Sequence, residues 1–347
     1  MRSFQRPDTL DPVPGAIVAV LRAIDLAAGA EARYADQLPQ LLDALRQQAR
    51  IESITASSAI EGVIVAERRV AGLVSANPSR FKSRSEAEFA GYTAAQDYLQ
   101  HDDLGPVSVG LILHLHRLLF SFVDGGGGRF KLDDNLVVDL NADGTKTVRF
   151  EPVPDAHTEN YIFELVARTD AALDDGATHP LLVIVAFGLD VLCIHPFADG
   201  NGRVTRLLTA HLMQRAGYGV GRYVAVEQLI FETKDDYYVT LAASTTGWFE
   251  DGAHSVWPWA GYFLDRIAQA YERFGDRVAA GASVGTKQDR IRDYVLLHAP
   301  AQFTIADIRR AVPGVSDNTI RLVLTELKAA GNVTVDGTGR GATWSRT

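Results

Sequence analysis

Between Leu181 and Leu192 the chain is almost continuously apolar, and the run stops at His195-Pro196. It is too short to cross a bilayer, which takes about 20 apolar residues, so it predicts a helix buried inside a globular domain. Proline disfavours helical geometry in the residue before it, which places His195 at the end of that helix. Downstream, Val204, Leu207, Leu208 and Leu212 recur at helical spacing and predict a second helix from Asn201 or Gly202. The chain is organised around this helix, turn and helix.

The turn between them is rich in chemistry. Cys193-Ile194-His195-Pro196-Phe197-Ala198-Asp199-Gly200-Asn201-Gly202-Arg203-Val204-Thr205-Arg206 holds a histidine, an acid, a Gly-Asn-Gly turn and two arginines. The first turn of the second helix presents unpaired N–H groups and the positive dipole end, and Gly200 and Gly202 let a ligand come close to that backbone, an arrangement that binds phosphate. Arg203 and Arg206, three apart, share a helix face and offer planar forks to phosphate oxygens. The Asp199 carboxylate can hold a magnesium ion that bridges phosphates. An imidazole titrates near neutral pH and serves as a general base. A lone histidine beside a solvated arginine pair would read as purely structural. The coincidence of all these residue types in one segment outweighs that reading.

The segment resembles the signature of the Fic family, His-Pro-Phe-x-x-Gly-Asn-Gly-Arg-x-x-Arg, at every fixed position. The resemblance implies a mainly α fold, a Fic-type helical core with a β-hairpin flap, and transfer of AMP from ATP to a Ser, Thr or Tyr hydroxyl of a protein. It makes His195 the general base and Asp199 the Mg2+ ligand. Asn201 with the Gly200 and Gly202 amides would hold the α/β-phosphates, Arg203 and Arg206 the β/γ-phosphates, and Phe197 would pack under the loop. ATP is then the nucleotide substrate, and the partner a target protein, the chain itself included.

A second motif lies upstream. In Ile51-Glu52-Ser53-Ile54-Thr55-Ala56-Ser57-Ser58-Ala59-Ile60-Glu61-Gly62, Ile51, Ile54, Ser58 and Glu61 fall on roughly one helical face and Gly62 closes the helix. The helix dipole opposes an acid at that end, so something other than local energetics keeps Glu61 there. Ser57 to Gly62 resembles the inhibitory motif [Ser/Thr]-x-x-x-Glu-[Gly/Asn] of Fic proteins that carry it ahead of the core. By that resemblance, Glu61 pairs with Arg206 and occupies the place of the ATP γ-phosphate, in an inhibitory helix of about residues 51–62. The same residues would serve removal of AMP, with Glu61 positioning a water.

A β-rich pair, Leu136 to Leu140 and Thr145 to Phe150, with Asn141-Ala142-Asp143-Gly144 as turn chemistry, predicts a hairpin. In Fic proteins a flap at this place docks the target by strand addition, which would use Val137, Val138, Thr147 and Val148; a hairpin without a substrate role is the alternative. Tyr237 and Tyr238 resemble Fic sequences in which an aromatic lines the adenine pocket, with core packing equally open. His114 and His116, two apart on a predicted helix, cannot share a face as a metal pair and read as packing or surface residues. Tyr223 to Glu227 reads as extended, and Ala279 to Gly285 as a small-residue linker.

The net charge of −9 excludes a general polyanion binder, yet from Thr286 onward nine Lys and Arg stand against six Asp and Glu. There, helices at Ile291–Leu297, Thr304–Val312 and Ser316–Ala330 and a terminal hairpin resemble a winged helix. Bound to DNA, it would turn Asn318, Thr319 and Arg321 to bases and Arg340 to a phosphate; a protein-contact or dimerising module, with a second copy as partner, is the alternative. The expected domains are residues 1–105 (N-terminal helices with the inhibitory helix), 106–278 (Fic core) and 286–347 (winged-helix-like). One cysteine, Cys193, and the lack of a signal-like or membrane-length run make the cytoplasm the expected location, with no membrane partner. A DNA-binding regulator with a nucleotide-sensing Fic core is the competing reading.

Overall fold

The apolar run forms the expected helix, Pro180–Ile194, and every residue from Leu181 to Ile194 is buried. The structure is a computed structural model that describes residues 2–4, 10, 12–37, 39–75, 80–101, 104–140, 145–249, 253–282, 287–312, 315–337 and 342–347. In chain order the elements are α1 (Gly15–Gln37), α2 (Pro39–Ile60), α3 (Glu67–Ser75), α4 (Arg84–Tyr98), α5 (Val109–Leu119), β1 (Val137–Leu140), β2 (Lys146–Phe150), α6 (Asp155–Asp175), α7 (Pro180–Ile194), α8 (Asn201–Arg215), α9 (Val226–Glu232), α10 (Lys234–Thr245), α11 (Trp257–Ala282), α12 (Lys287–Asp293), β3 (Gln302–Phe303), α13 (Ile305–Ala311), α14 (Asp317–Ala329), β4 (Val333–Asp336) and β5 (Thr343–Arg346). The chain divides into two compact units, one of residues 1–23, 51–218 and 225–267 and the other of residues 24–50, 219–224 and 268–347. Among the described residues no helix is long and apolar enough to cross a membrane.

In the first unit α7 packs against α6, α8 and α10, and α8 packs in turn against α4 and α5. A helix apolar all round must be covered all round, and here its neighbours do so. Proline at its first turn and the His179 ring, whose Nδ1 accepts the Leu181 N–H at 3.2 Å, fix where it starts. Its one acid, Asp190, is fully buried and accepts the Trp248 indole N–H at 2.7 Å, the Ser3 hydroxyl at 2.7 Å and the Ser3 N–H at 3.2 Å. Burial still pushes its carboxyl up to about 6, against the lowering effect of those donors. The short turn Arg2–Phe4 is thereby tied to the central helix.

The hairpin is antiparallel, with Val138 opposite Val148 and Asp139 opposite Thr147, and with an irregularity between Val137 and Val138. Its expected turn, residues 141–144, lies outside the described residues.

In the second unit, α12 continues into a π-helical turn at Tyr294–His298, and β3, β5 and β4 form an antiparallel sheet in that order. Thr304 and Asp307 make a reciprocal capping box at the start of α13, and Ser316 caps α14. Ile291, Val295, Phe303, Ile308, Ile320, Val323, Leu324 and Trp344 build the core of this module.

The structure departs from expectation in places. Residues 51–60 of the segment expected to be an inhibitory helix are the last part of the longer α2, which starts at Pro39. Residues 226–232, read in part as extended, are helical because Val226, Leu229 and Ile230 bury one face. α11 runs through Ala282 into the expected linker, since alanine favours helix more than small size suggests loop. Residues 283–286 and Arg340 lie outside the described residues.

Candidate functional site

α7 ends at His195, whose backbone is left-handed at φ 51° and ψ 61°, the one non-glycine residue with positive φ among the described residues. Such a conformation persists only where the surroundings hold it. The His195 N–H donates to Val191 O at 2.9 Å, and the ring Nδ1 lies 3.3 Å from Leu192 O. A carbonyl only accepts, so Nδ1 carries the proton and Nε2 keeps a lone pair. Burial lowers the imidazole pKa to about 4; the Leu192 carbonyl partly opposes this, Lys131 adds to it, and Glu61 and Asp199 oppose it. The ring is therefore a neutral base throughout the physiological range.

Gly200, left-handed at φ 82°, starts α8 without a side-chain cap, so the first-turn N–H groups face a ligand position. Asn201 holds the loop shut: its Oδ1 accepts the Phe197 N–H at 2.8 Å and its Nδ2 donates to Phe197 O at 2.7 Å. Both ends of the amide are thus spent inside the loop, which leaves the backbone, not the side chain, of Asn201 to meet an anion. Phe197 is fully buried beneath, as expected, and Cys193 is a buried free thiol.

The upstream acid meets the second arginine. Arg206 Nη2 donates to Glu61 Oε1 at 2.9 Å and to Ser57 O at 3.0 Å, and Nε donates to Ser57 Oγ at 2.8 Å. α2 stops here by a reciprocal C-terminal motif, with Gly62 N–H donating to Ala59 O at 3.0 Å and Val63 N–H to Ser58 O at 3.0 Å. Gly62 takes the positive φ that this motif needs, 77°, and so presents Glu61 at the helix end. A methyl group on Gly202 would collide with Glu61 Oε1, so the carboxylate lies against the first turn of α8. Burial disfavours the charge on Arg206, but Glu61, with Tyr237 and Tyr92 beside it, more than offsets that penalty, so the guanidinium stays charged.

Arg203 takes another course than toward the β/γ-phosphates. Only 1% exposed, it donates through Nη1 to Glu88 Oε2 at 2.6 Å and lies over the Phe120 ring. Its Nη2 stands 3.6 Å from Asp199 Oδ1. It joins α8 to α4 beneath the loop. Asp199 is half exposed; Oδ1 accepts the Gly200 N–H at 2.6 Å, and Oδ2 stands 3.4 Å from Arg84 Nη2. Among the described residues no group of three or more His, Cys, Asp or Glu side chains could hold a metal alone. One accessible carboxylate beside a phosphate site does suit Mg2+, which takes one or two carboxylates and completes its shell with phosphate oxygens and water.

Tyr237 is buried, makes edge contacts with Trp259 and Tyr262, and also lies close enough to Arg206 and Glu61 to interact with their charges. Tyr238 borders the site as well: its hydroxyl donates to Ile60 O at 3.4 Å, and Arg149 of β2 sits 4.8 Å from its ring centre. On the flap, Val138 and Val148 form an exposed cross-strand pair, Thr147 is exposed and Val137 is half-buried.

Residues 106–213 match the Fic/DOC family model. They form a Fic domain. Protein adenylyltransferase fic-1 of Caenorhabditis elegans is 27% identical over 175 residues, 47% of this chain and 30% of that protein, so the chain spans under a third of its length. A Fic family protein of Desulfovibrio desulfuricans shares the fold with a TM-score of 0.64 at 20% identity, over 96% of this chain and 97% of that one. A fragment of C. elegans Fic-1 does so with a TM-score of 0.53 at 20% identity, over 81% and 83%.

Three side chains of the Fic domain escape a reading by motif. His116 stacks on Phe197 at 3.8 Å, accepts the Gly128 N–H on Nδ1 at 2.9 Å and so donates from Nε2 to Asp199 O at 3.2 Å. Lys131 and Asn135 bond the carbonyls around His195. Each is remote from the signature in sequence, and only the phenylalanine within it hints that something must stack there.

Proposed function

We propose that this chain is an autoinhibited protein adenylyltransferase that moves AMP from Mg-ATP to a protein hydroxyl. The observation that carries the reading is the Arg206–Glu61 bond, at 2.9 Å, on the first turn of the helix that begins after His195. The α8 amide groups bind phosphate, and Arg206, freed from Glu61, neutralises its outer end. His195 Nε2 takes the proton of the incoming hydroxyl as its oxygen bonds to the α-phosphorus and the bond to the bridging oxygen breaks, releasing pyrophosphate. Asp199 would hold Mg2+, which when bound supplies charge neutralisation across the phosphates. The exposed row of Val138 and Val148 would receive the target's backbone as an added strand. Glu61 against Gly202 would exclude a γ-phosphate from its productive place, and the pair, with Arg206 buried and the Glu61 side chain 29% exposed, is harder to displace than a fully exposed one.

The test is self-labelling with ATP carrying the label in the α-phosphate. Glu61→Gly should raise labelling at least tenfold, and adding His195→Ala should abolish it. An unlabelled Glu61→Gly variant, with a melting curve that proves it folded, would sink the proposal.

A second reading concerns residues 287–347. Their helix, strand, helix, helix and hairpin order, with Asn318 and Arg321 exposed on α14, favours a winged-helix-like module that contacts DNA or a protein beside the enzymatic role.

A further inference from the structure

Lys131 stands at the root of the flap and is 6% exposed. Its backbone N–H donates to Pro196 O at 2.9 Å, and its Nζ donates to Ile194 O at 3.4 Å and to Asn135 Oδ1 at 2.8 Å. Asn135 in turn donates from Nδ2 to Phe197 O at 3.0 Å. Two residues thus bond the three carbonyls that bracket His195, one before it and two after. No other described non-glycine residue has a positive φ, and this one is held from outside its own helix.

We propose that Lys131 and Asn135 are positioning residues, a strap that fixes the left-handed turn at His195 and sets its imidazole at a constant distance from a hydroxyl docked on the flap. The flap begins two residues beyond Asn135, so one pair of residues, through two side chains and one backbone N–H, references both the base and the docking strand to the same carbonyls. The ammonium has a second effect. Burial lowers the Lys131 pKa to about 8, with Asp134 and Asp155 opposing, so it is still largely charged at neutral pH. Of the charged groups around His195, Lys131 favours the neutral ring, while Glu61 and Asp199 favour the protonated one.

The inference rests on His195 as the base, and its test separates the two. In the full chain carrying Glu61→Gly, Lys131→Met should lower kcat for self-labelling roughly 10- to 100-fold with KM for ATP within about twofold, the size of effect expected when a reacting group is misplaced by about 1 Å. Asn135→Ala should lower kcat about tenfold, and Lys131→Arg should restore part of the loss. By NMR of the histidine side chains, the His195 pKa should rise by about half a unit or more in Lys131→Met and stay within about 0.2 of its starting value in Asn135→Ala, which keeps the charge. Unchanged kcat in both variants, or a loss confined to KM, overturns the strap. If Lys131→Met does not fold, Asn135→Ala alone decides on kcat. If Glu61→Gly itself transfers nothing, the adenylyltransferase reading fails, and the strap is then decided by backbone NMR: a His195 amide signal that does not move in either Lys131→Met or Asn135→Ala overturns it.

Discussion

A histidine that ends a buried helix in left-handed geometry carries two costs, backbone strain of about 1–3 kcal/mol and desolvation of its charged form. The second has a consequence in solution. With the His195 pKa near 4, protonation would remove the proposed base only below about pH 5. The kcat/KM profile of the Glu61→Gly variant should therefore be flat from pH 5.5 to neutrality and fall toward about pH 4, and a limb near pH 6.5 would mean that water reaches the ring in the working enzyme. Stability follows the same sign. His116 and His254 are also lowered to about 4, chiefly by burial, from an ordinary value of 6.5. Groups depressed on folding contribute stability that is present above the unfolded pKa and lost as pH falls through the folded one. The urea midpoint should drop between pH 6.5 and 4, less so in His116→Gln.

Elements are joined here by ion pairs that no local pattern contains. Arg203 of α8 is paired with Glu88 of α4, itself 6% exposed along its side chain, across a separation of 115 residues. Removing one member of a buried pair leaves an uncompensated charge, which costs about 3–5 kcal/mol. Glu88→Ala should lower the unfolding free energy by about that much in chemical denaturation, while Arg84→Ala, which removes an exposed partner of the same carboxylate, should cost under about 1 kcal/mol. Equal effects would show that Glu88 is better solvated than its burial implies. These links mark where sequence stops being readable. Helical spacing placed Arg203 and Arg206 on one face but could not say that one turns inward to Glu88 and the other toward Glu61. The apolar period foretold α7, α8 and α14. It missed the two-residue strand β3, too short to carry an alternation, and it set residues 51–62 apart from the preceding residues that belong to the same helix.

At the scale of the molecule, the His195–Arg206 part of the site was legible because it lies within one short segment, and the second unit was less so because its purpose depends on a surface. The chain is acidic overall, and its terminal module carries a small positive excess. Part of that excess is already committed: Arg309 bonds Asp317 at 2.6 and 2.7 Å, at the first turn of α14, and Arg310 bonds Asp307 at 2.8 Å. A carboxylate at the amino end of that helix opposes phosphate there. Arg321, exposed one turn on, is the cation left to face a duplex among the described residues of α14's first two turns. If α14 meets DNA, few phosphates are neutralised, so the salt dependence should be shallow, with a slope of log K on log salt of about −2 to −3. Arg321→Ala should reduce that slope by about 1 and leave self-labelling of the Glu61→Gly chain unchanged. A duplex affinity that does not respond to salt, or none at 50 mM, would assign the module to protein contacts, because a nucleic-acid surface without counterion release is not electrostatically possible.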